Sequence, residues 1–354
     1  MDSTYSGNYG RIKSHETEFL KFDFITSLLD LKNVDDITNE LTKTGYSEDI
    51  SALSSSYKNP ELLQMSVNRN FIRKNRIALF SVPPLAKDTV RAYLSKWDIE
   101  NIKSILASKF MGYDLKQNEI FILSFRDLPM GMFAGNLSNE DFRNLMAKGT
   151  VEEVVSYLTY FGFGPSILQH MDRYHKSGDI SILLSAFDTY YYDTLMKTVR
   201  FYNGDEAAVI SFIRDQIDLR NIMTVIKGKD MGIEFERFSE SFRVTGSQSL
   251  SDLQGLYEKR DAGEIISGIS SYGNLEDAMD IYKRTGDLYY VDVTLQKFLF
   301  TKYMEIFRSQ ALSIGSTFSF ILRAEAEREN LRIVFNGILN NVGKDTLSRI
   351  LIPS

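Results

Sequence analysis

The feature that most constrains this chain is an internal repeat. The segment Asp98-Ile99-Glu100-Asn101-Ile102-Lys103-Ser104-Ile105-Leu106 returns as Asp218-Leu219-Arg220-Asn221-Ile222-Met223-Thr224-Val225-Ile226, and every position is offset by 120 without a gap. The match runs on through Lys109-Phe110-Met111-Gly112 and Lys229-Asp230-Met231-Gly232. A more divergent third copy, Glu327-Arg328-Glu329-Asn330-Leu331 onward, keeps acid-x-x-Asn-apolar, and Gly337 falls 109 residues after Gly228. A second element recurs beside the first. Val34–Gly45 resembles Val151–Gly162 and Ala262–Gly273, and its closing glycine precedes the motif asparagine by 56, 59 and 57 residues. Two elements in one order at nearly constant separation define three copies of a unit near 118 residues. The expected units are 1–125, 126–244 and 245–354.

The units should be helical. Only 6 of 354 residues are proline, and helix interiors exclude proline. Apolar residues recur at helical spacing over Ser14–Lys32, Thr150–Leu158, Asp188–Phe201, Glu206–Lys227 and Leu288–Arg308. Strand candidates are confined to Arg76–Val82 and Ile120–Phe125. Pro83-Pro84, Asp127–Asn136 and Arg243–Ser249 read as loops or linkers. The fold class expected is all-α.

Within the motif, Asp98 and Asn101 are three apart and share a helix face, next to a seam of Ile99, Ile102, Leu106 and Phe110. Asp218 with Asn221 and Glu327 with Asn330 repeat the arrangement. An acid–Asn pair could serve as a cation site or a base. Two ligands fall short of a metal site, so a side-chain hydrogen-bonded pair that fixes helix packing is the better expectation. Gly45, Gly162 and Gly273 read as helix C-caps. Of Tyr190, Tyr191 and Tyr192, one or two should face the core.

Chemistry-bearing constellations are scarce. The absence of cysteine removes disulfides, thiolate metal sites and cysteine nucleophiles. The 3 histidines, His15, His170 and His175, lack metal-ligand spacing. Lys227-Gly228-Lys229 lacks the first glycine and the strand of a phosphate loop. No catalytic, cofactor or metal residue is assigned. A net charge of −6 argues against nucleic acid or anionic lipid as a partner. No apolar run approaches the ~20 residues of a membrane span, and no signal peptide is evident, so a soluble intracellular chain is expected.

The third copy, Ala324-Glu325-Ala326-Glu327-Arg328-Glu329-Asn330-Leu331-Arg332-Ile333-Val334, resembles the C-terminal signature of the C subunit of archaeal A-type and bacterial V/A-type ATPases, whose vacuolar counterpart is the d subunit. Asp218–Lys229 resembles that family's middle signature, and Tyr9-Gly10-Arg11-Ile12-Lys13 is compatible with its N-terminus. Trp97 and Glu100 are bulkier and more acidic than the family-like pattern. The resemblance implies a non-catalytic rotor component. Its fold would be three helical units about a pseudo-threefold axis, shaped as a funnel. The wide mouth would take the D and F subunits of the central stalk, and the narrow side would sit on the cytoplasmic loops of the proteolipid ring. Such a part would lie at the cytoplasmic face of the membrane, peripheral through protein contacts, and transmit torque for ATP synthesis or ion pumping. A peptide-binding helical scaffold is the alternative, but solenoid repeats run ~20–45 residues. A hydrolase with an unrecognised acidic site is a third reading.

Overall fold

A computed structural model describes residues 3–112, 137, 139–239, 241–242 and 246–353. Among the described residues every regular element is helical. The strand candidate Ile120–Phe125 and the loop Asp127–Asn136 lie outside them, as do residues 243–245 of the Arg243–Ser249 linker.

The same series of helices occurs three times. A lead helix comes first: Phe22–Ser27, Asn139–Ala147 and Leu250–Tyr257. A short capped helix follows: Val34–Leu41, Val151–Leu158 and Ala262–Gly268. Each capped helix begins the same way. The side chains of Asn33, Thr150 and Asp261 accept a hydrogen bond from the backbone N–H of Asp36, Glu153 and Glu264, which satisfies one of the free amides of the first turn. A long partner helix follows: Glu61–Ser81, Ser181–Val199 and Tyr289–Ser309. The motif helix closes the series. It is continuous over Ala207–Asp230 and Gly315–Leu339, and in the first unit it is broken into Pro84–Leu94 and Lys96–Met111.

The long helices pack in a closed circuit. Pro84–Leu94 packs on Glu61–Ser81, and both it and Lys96–Met111 pack on Ser181–Val199. Ala207–Asp230 packs on Ser181–Val199 and Tyr289–Ser309, and Gly315–Leu339 packs on Tyr289–Ser309 and returns to Glu61–Ser81. The bundles are built across the repeats. Each motif helix also packs on the capped helix of the next unit: Lys96–Met111 on Val151–Leu158, Ala207–Asp230 on Ala262–Gly268, and Gly315–Leu339 on Val34–Leu41. One apolar core accordingly joins Leu20–Val67 residues to Leu331–Leu351 residues, the two ends of the chain.

The return contact is fastened by buried charge. Lys74 and Glu327 are 1% and 2% exposed and form an ion pair. The Tyr46 hydroxyl donates to Glu327 Oε1 at 2.7 Å, and the backbone N–H of Leu20 donates to Oε2 at 2.6 Å. The Lys74 ammonium also sits 4.2 Å from the centre of the Phe19 ring. Burial pushes this ammonium down from its ordinary value, against the pull of Glu327. Burial and Glu327 push the Tyr46 phenol well up.

Four expectations change. Arg76–Val82 is the end of the Glu61–Ser81 helix and not a strand. Its helical period was hidden because Ser66, Asn68, Asn70, Lys74 and Asn75 are buried, so polar letters occupy the inward face. Pro83-Pro84 is a helix junction and not a loop: Pro84 opens Pro84–Leu94, a position where proline's missing N–H costs nothing. The Ser14–Lys32 periodicity is divided among Ser6–His15, Phe22–Ser27 and two single 3-10 turns. Gly162 and Gly273 take positive φ, 83° and 114°, after their helices, whereas Gly45 does not. A Cβ at Gly45 would instead press to 3.2 Å from the Glu18 carbonyl oxygen.

Gly228 and Gly337 each allow a close approach between helices. A Cβ at Gly228 would overlap the ring of Phe238, and one at Gly337 would overlap Leu347, ten residues on in each case. Gly228→Ala and Gly337→Ala should each cost ~1–3 kcal/mol through overpacking. A more direct test of the ring closure is Lys74→Met, which strands the Glu327 carboxylate. A loss of ~3–5 kcal/mol in urea unfolding is expected. A loss below ~1 kcal/mol would mean the pair does not hold the circuit.

Candidate functional site

The three motif helices meet at an aromatic hub. Tyr93, Phe212 and Phe318 come from the three units. Tyr93 lies 5.9 Å from Phe212 and 5.0 Å from Phe318, ring centre to ring centre. Tyr303 and Phe307 extend the cluster at 5.1 and 5.8 Å from Phe212. All five are buried. Edge-to-face packing of this kind adds orientation to the burial of large apolar area. Tyr191 joins from the side, its hydroxyl donating to the Tyr93 carbonyl at 3.2 Å. Tyr191 and Tyr192 are core residues, and Tyr190 packs against the core.

Phe212 also lines a cavity of about 610 Å³, so the hub reaches the cavity wall through this one ring. The walls come from all three units: Trp97 from the first, Arg220 and Met223 from the second, Glu325, Arg328 and Glu329 from the third. The charged groups of this wall are held in place. Lys96 pairs with Glu325 at 2.6 Å, and burial pushes that ammonium down against the carboxylate's pull. Arg220 pairs with Asp188, which also takes Lys103 at 3.1 Å. Arg328 lies between the Phe71 and Trp97 rings, 5.2 and 5.3 Å from their centres, and donates to Asn68 at 3.0 Å. Burial, with Arg332 nearby, pushes its guanidinium down to about 10. The cavity is a preformed concave site with an apolar floor and braced charges on its walls.

All six repeated motif residues are buried: Asp98, Asn101, Asp218, Asn221, Glu327 and Asn330. Two of the acids hold backbone amides. Asp218 accepts from the N–H groups of Ser247 at 2.9 and 3.0 Å and of Gln248 at 3.1 Å, as Glu327 accepts from Leu20. Gln248 and Leu20 each stand thirteen residues before the cap of the next capped helix and two before its lead helix. Leu137, also buried, has the same place before Asn139–Ala147 and Thr150. Asn330 clamps the end of the chain: its amide donates to the Ile352 carbonyl and its carbonyl accepts the Ile352 N–H, both at 2.7 Å. Ile352 lines the cavity, so this motif residue holds part of the wall. The expected seam is buried at Ile99, Ile102 and Leu106, but Phe110 is exposed near the helix end.

The cavity residues were legible only as neighbours of the motif. Trp97, Leu219, Arg220, Glu325, Arg328 and Glu329 all flank the repeated acid within two positions. On a helix that spacing turns them away from the acid's partners and toward the centre. The histidines are not gathered: His15 meets Glu18, and His175 lies 3.3 Å from Glu152 at the surface. Among the described residues no group of three or more His, Asp or Glu could hold a metal ion, and no helix is long and apolar enough to cross a membrane.

Residues 9–350 match the family model for the ATP synthase (C/AC39) subunit. The chain is 44% identical over 352 residues to the A-type ATP synthase C subunit of Thermoplasma volcanium, covering 99% of each chain. It is 40% identical to that of Thermoplasma acidophilum over the same length, again covering 99% of each. Similarity extends to the A-type ATP synthase C subunit of Methanocaldococcus jannaschii at 24% identity, covering 97% of this chain and 84% of that one.

Asn330→Leu leaves the buried N–H and C=O of Ile352 without their partner. A loss of ~2–4 kcal/mol is expected, since each buried orphan costs ~1–3 kcal/mol. Faster removal of the C-terminal residues by carboxypeptidase should accompany it, and equal cleavage rates would show that the clamp does not hold the tail.

Proposed function

The chain belongs to the ATP synthase (C/AC39) subunit family, and from that premise we propose that it is the non-catalytic rotor component coupling the central shaft to the membrane proteolipid ring. The cavity is the socket for the lower end of the shaft, formed by the D and F subunits. The opposite side rests on the cytoplasmic loops of the ring, so the chain sits at the cytoplasmic face and reaches the membrane through protein. The three repeats, 1–125, 126–244 and 245–354, are related by a pseudo-threefold axis and together form a funnel.

One observation carries this reading: one cavity takes lining residues from all three motif helices, and one of them, Phe212, belongs to a hub to which all three contribute. A shaft seated there would bear on every unit at once, and the closed circuit of long helices would resist being opened by it. Paired charges on the wall suit a polar shaft end. Their partners hold them oriented, so docking would cost little side-chain entropy.

The reading is tested by capture of purified D–F complex and, separately, of the proteolipid ring by the full chain. Both should be retained. Gln296→Trp places an indole into the socket from an exposed wall position. It should weaken D–F capture at least tenfold, with ring capture and thermal stability unchanged. Capture of neither partner, or ATP turnover by the chain alone, would overturn the proposal.

A further inference from the structure

The first unit carries a second groove, of about 590 Å³, between the Ser6–His15 and Glu61–Ser81 helices. Its composition departs from that of the chain. The protein has a net charge of −6, yet Arg11, Arg69, Arg73 and Arg76 all line this groove, with His15 beside them. Two carboxylates line it as well. Asp49 is buried and already engaged: it takes Arg69 Nε at 3.2 Å, Arg73 Nη2 at 3.5 Å and the Asn70 amide at 2.8 Å. Glu48 is exposed at the rim.

The arginines are arranged, not scattered. Arg69, Arg73, Arg76 and Phe80 follow one another at i, i+4, i+7 and i+11, which is a single stripe along one helix about 16 Å long. Arg11 and His15, at i and i+4, face them from the opposite wall. Arg73 is braced from behind. Glu18 takes its Nη1 at 2.5 Å and the Gly45 carbonyl its Nη2 at 3.3 Å. Burial would raise the Glu18 carboxyl, but hydrogen bonds from His15 and Arg73 hold it below its ordinary value, so the brace stays charged at neutral pH. At the end of the stripe Phe80 stands 62% exposed, with the Arg76 and Lys87 cations 5.9 and 5.8 Å from its ring centre.

We propose that this groove docks an acidic amphipathic helix of a partner protein, with carboxylates at i, i+4 and i+7 over the arginine stripe and an apolar residue over Phe80. Three features select that partner. The exposed guanidinium groups of Arg11 and Arg76 suit pairing with carboxylates, while Arg69 and Arg73, already held by Asp49 and Glu18, fix the place of the stripe. The site is a groove between two helices, the shape that receives a third helix. The heptad-like spacing of four determinants matches three turns of a helix laid alongside. A lipid surface would instead favour a flat or convex face rich in lysine.

The probe is a labelled synthetic helix of about 18 residues with glutamates at i, i+4 and i+7 and leucine at i+11. Its binding to the full chain is read by fluorescence anisotropy beside a scrambled peptide of equal composition and vesicles containing one-third anionic lipid. The patterned helix should bind at least tenfold more tightly than the scramble. Arg76→Glu and Arg11→Glu, at exposed positions on opposite walls, should each weaken it at least tenfold, and Phe80→Ala about threefold, with unchanged melting temperatures. Lys283→Glu, on the distant Glu276–Thr285 helix, should leave it unaltered. Equal binding of patterned and scrambled peptides, or indifference to both charge reversals, would overturn the proposal. So would vesicle binding that competes with the peptide and is lost in Arg76→Glu, which would assign the groove to lipid.

Discussion

The structure depends on a carboxylate, Glu327, placed where water cannot reach it. It gathers the Lys74 ammonium, the Tyr46 hydroxyl and the Leu20 amide, and the nearest of these is 253 residues away in sequence. A buried charge is costly unless its lone pairs are filled, and a half-satisfied one is worse than none. That cost is what makes the site specific. Slipping the Gly315–Leu339 helix against the Glu61–Ser81 helix would strand a carboxylate and an ammonium together. Apolar residues alone would tolerate several registers. The circuit of long helices therefore closes in one register, and everything inside it, the hub and the cavity, inherits that register.

The same device appears in a milder form at Asp218, which holds two backbone amides. In both places the acid grips the chain just before the lead helix of the next unit. In these two copies the motif is a latch: a side chain on one motif helix fixes the start of the following bundle. With the latch turned outward, the flanking positions turn inward, and this is how Arg220, Glu325, Arg328 and Trp97 come to line one cavity. Motif and cavity wall are two faces of the same helices.

That geometry explains what was legible in the sequence. The repeat was readable because acid-x-x-Asn survives in all three copies, and the short capped helices because Val34–Gly45 recurs as Val151–Gly162 and Ala262–Gly273. The Glu61–Ser81 helix was not, since its inward face is built from Ser66, Asn68, Asn70, Lys74 and Asn75 and gives no apolar period. The expectation is a hydrogen-bonded acid–Asn pair that fixes how its helix meets a neighbour. Glu327 and Asn330 reach separate targets, a cross-chain cluster and the chain end, which no local spacing could reveal. The cavity residues were in view as motif neighbours, but only the position of the helices around a common centre gives them a role.

The out-of-phase packing bears on stiffness. In a tandem array each repeat buries its own core, and units hinge where they meet. Here a motif helix lies in the bundle of the next unit, and the third motif helix lies in the bundle of the first. No hinge between units opens without pulling a helix out of a core. Burial of that helix's apolar seam, worth ~25 cal/mol per Å², opposes any such opening. A component proposed to pass torque gains from this arrangement, because twist applied at the cavity would be taken up by the interlocked bundles together and not at any one junction between them.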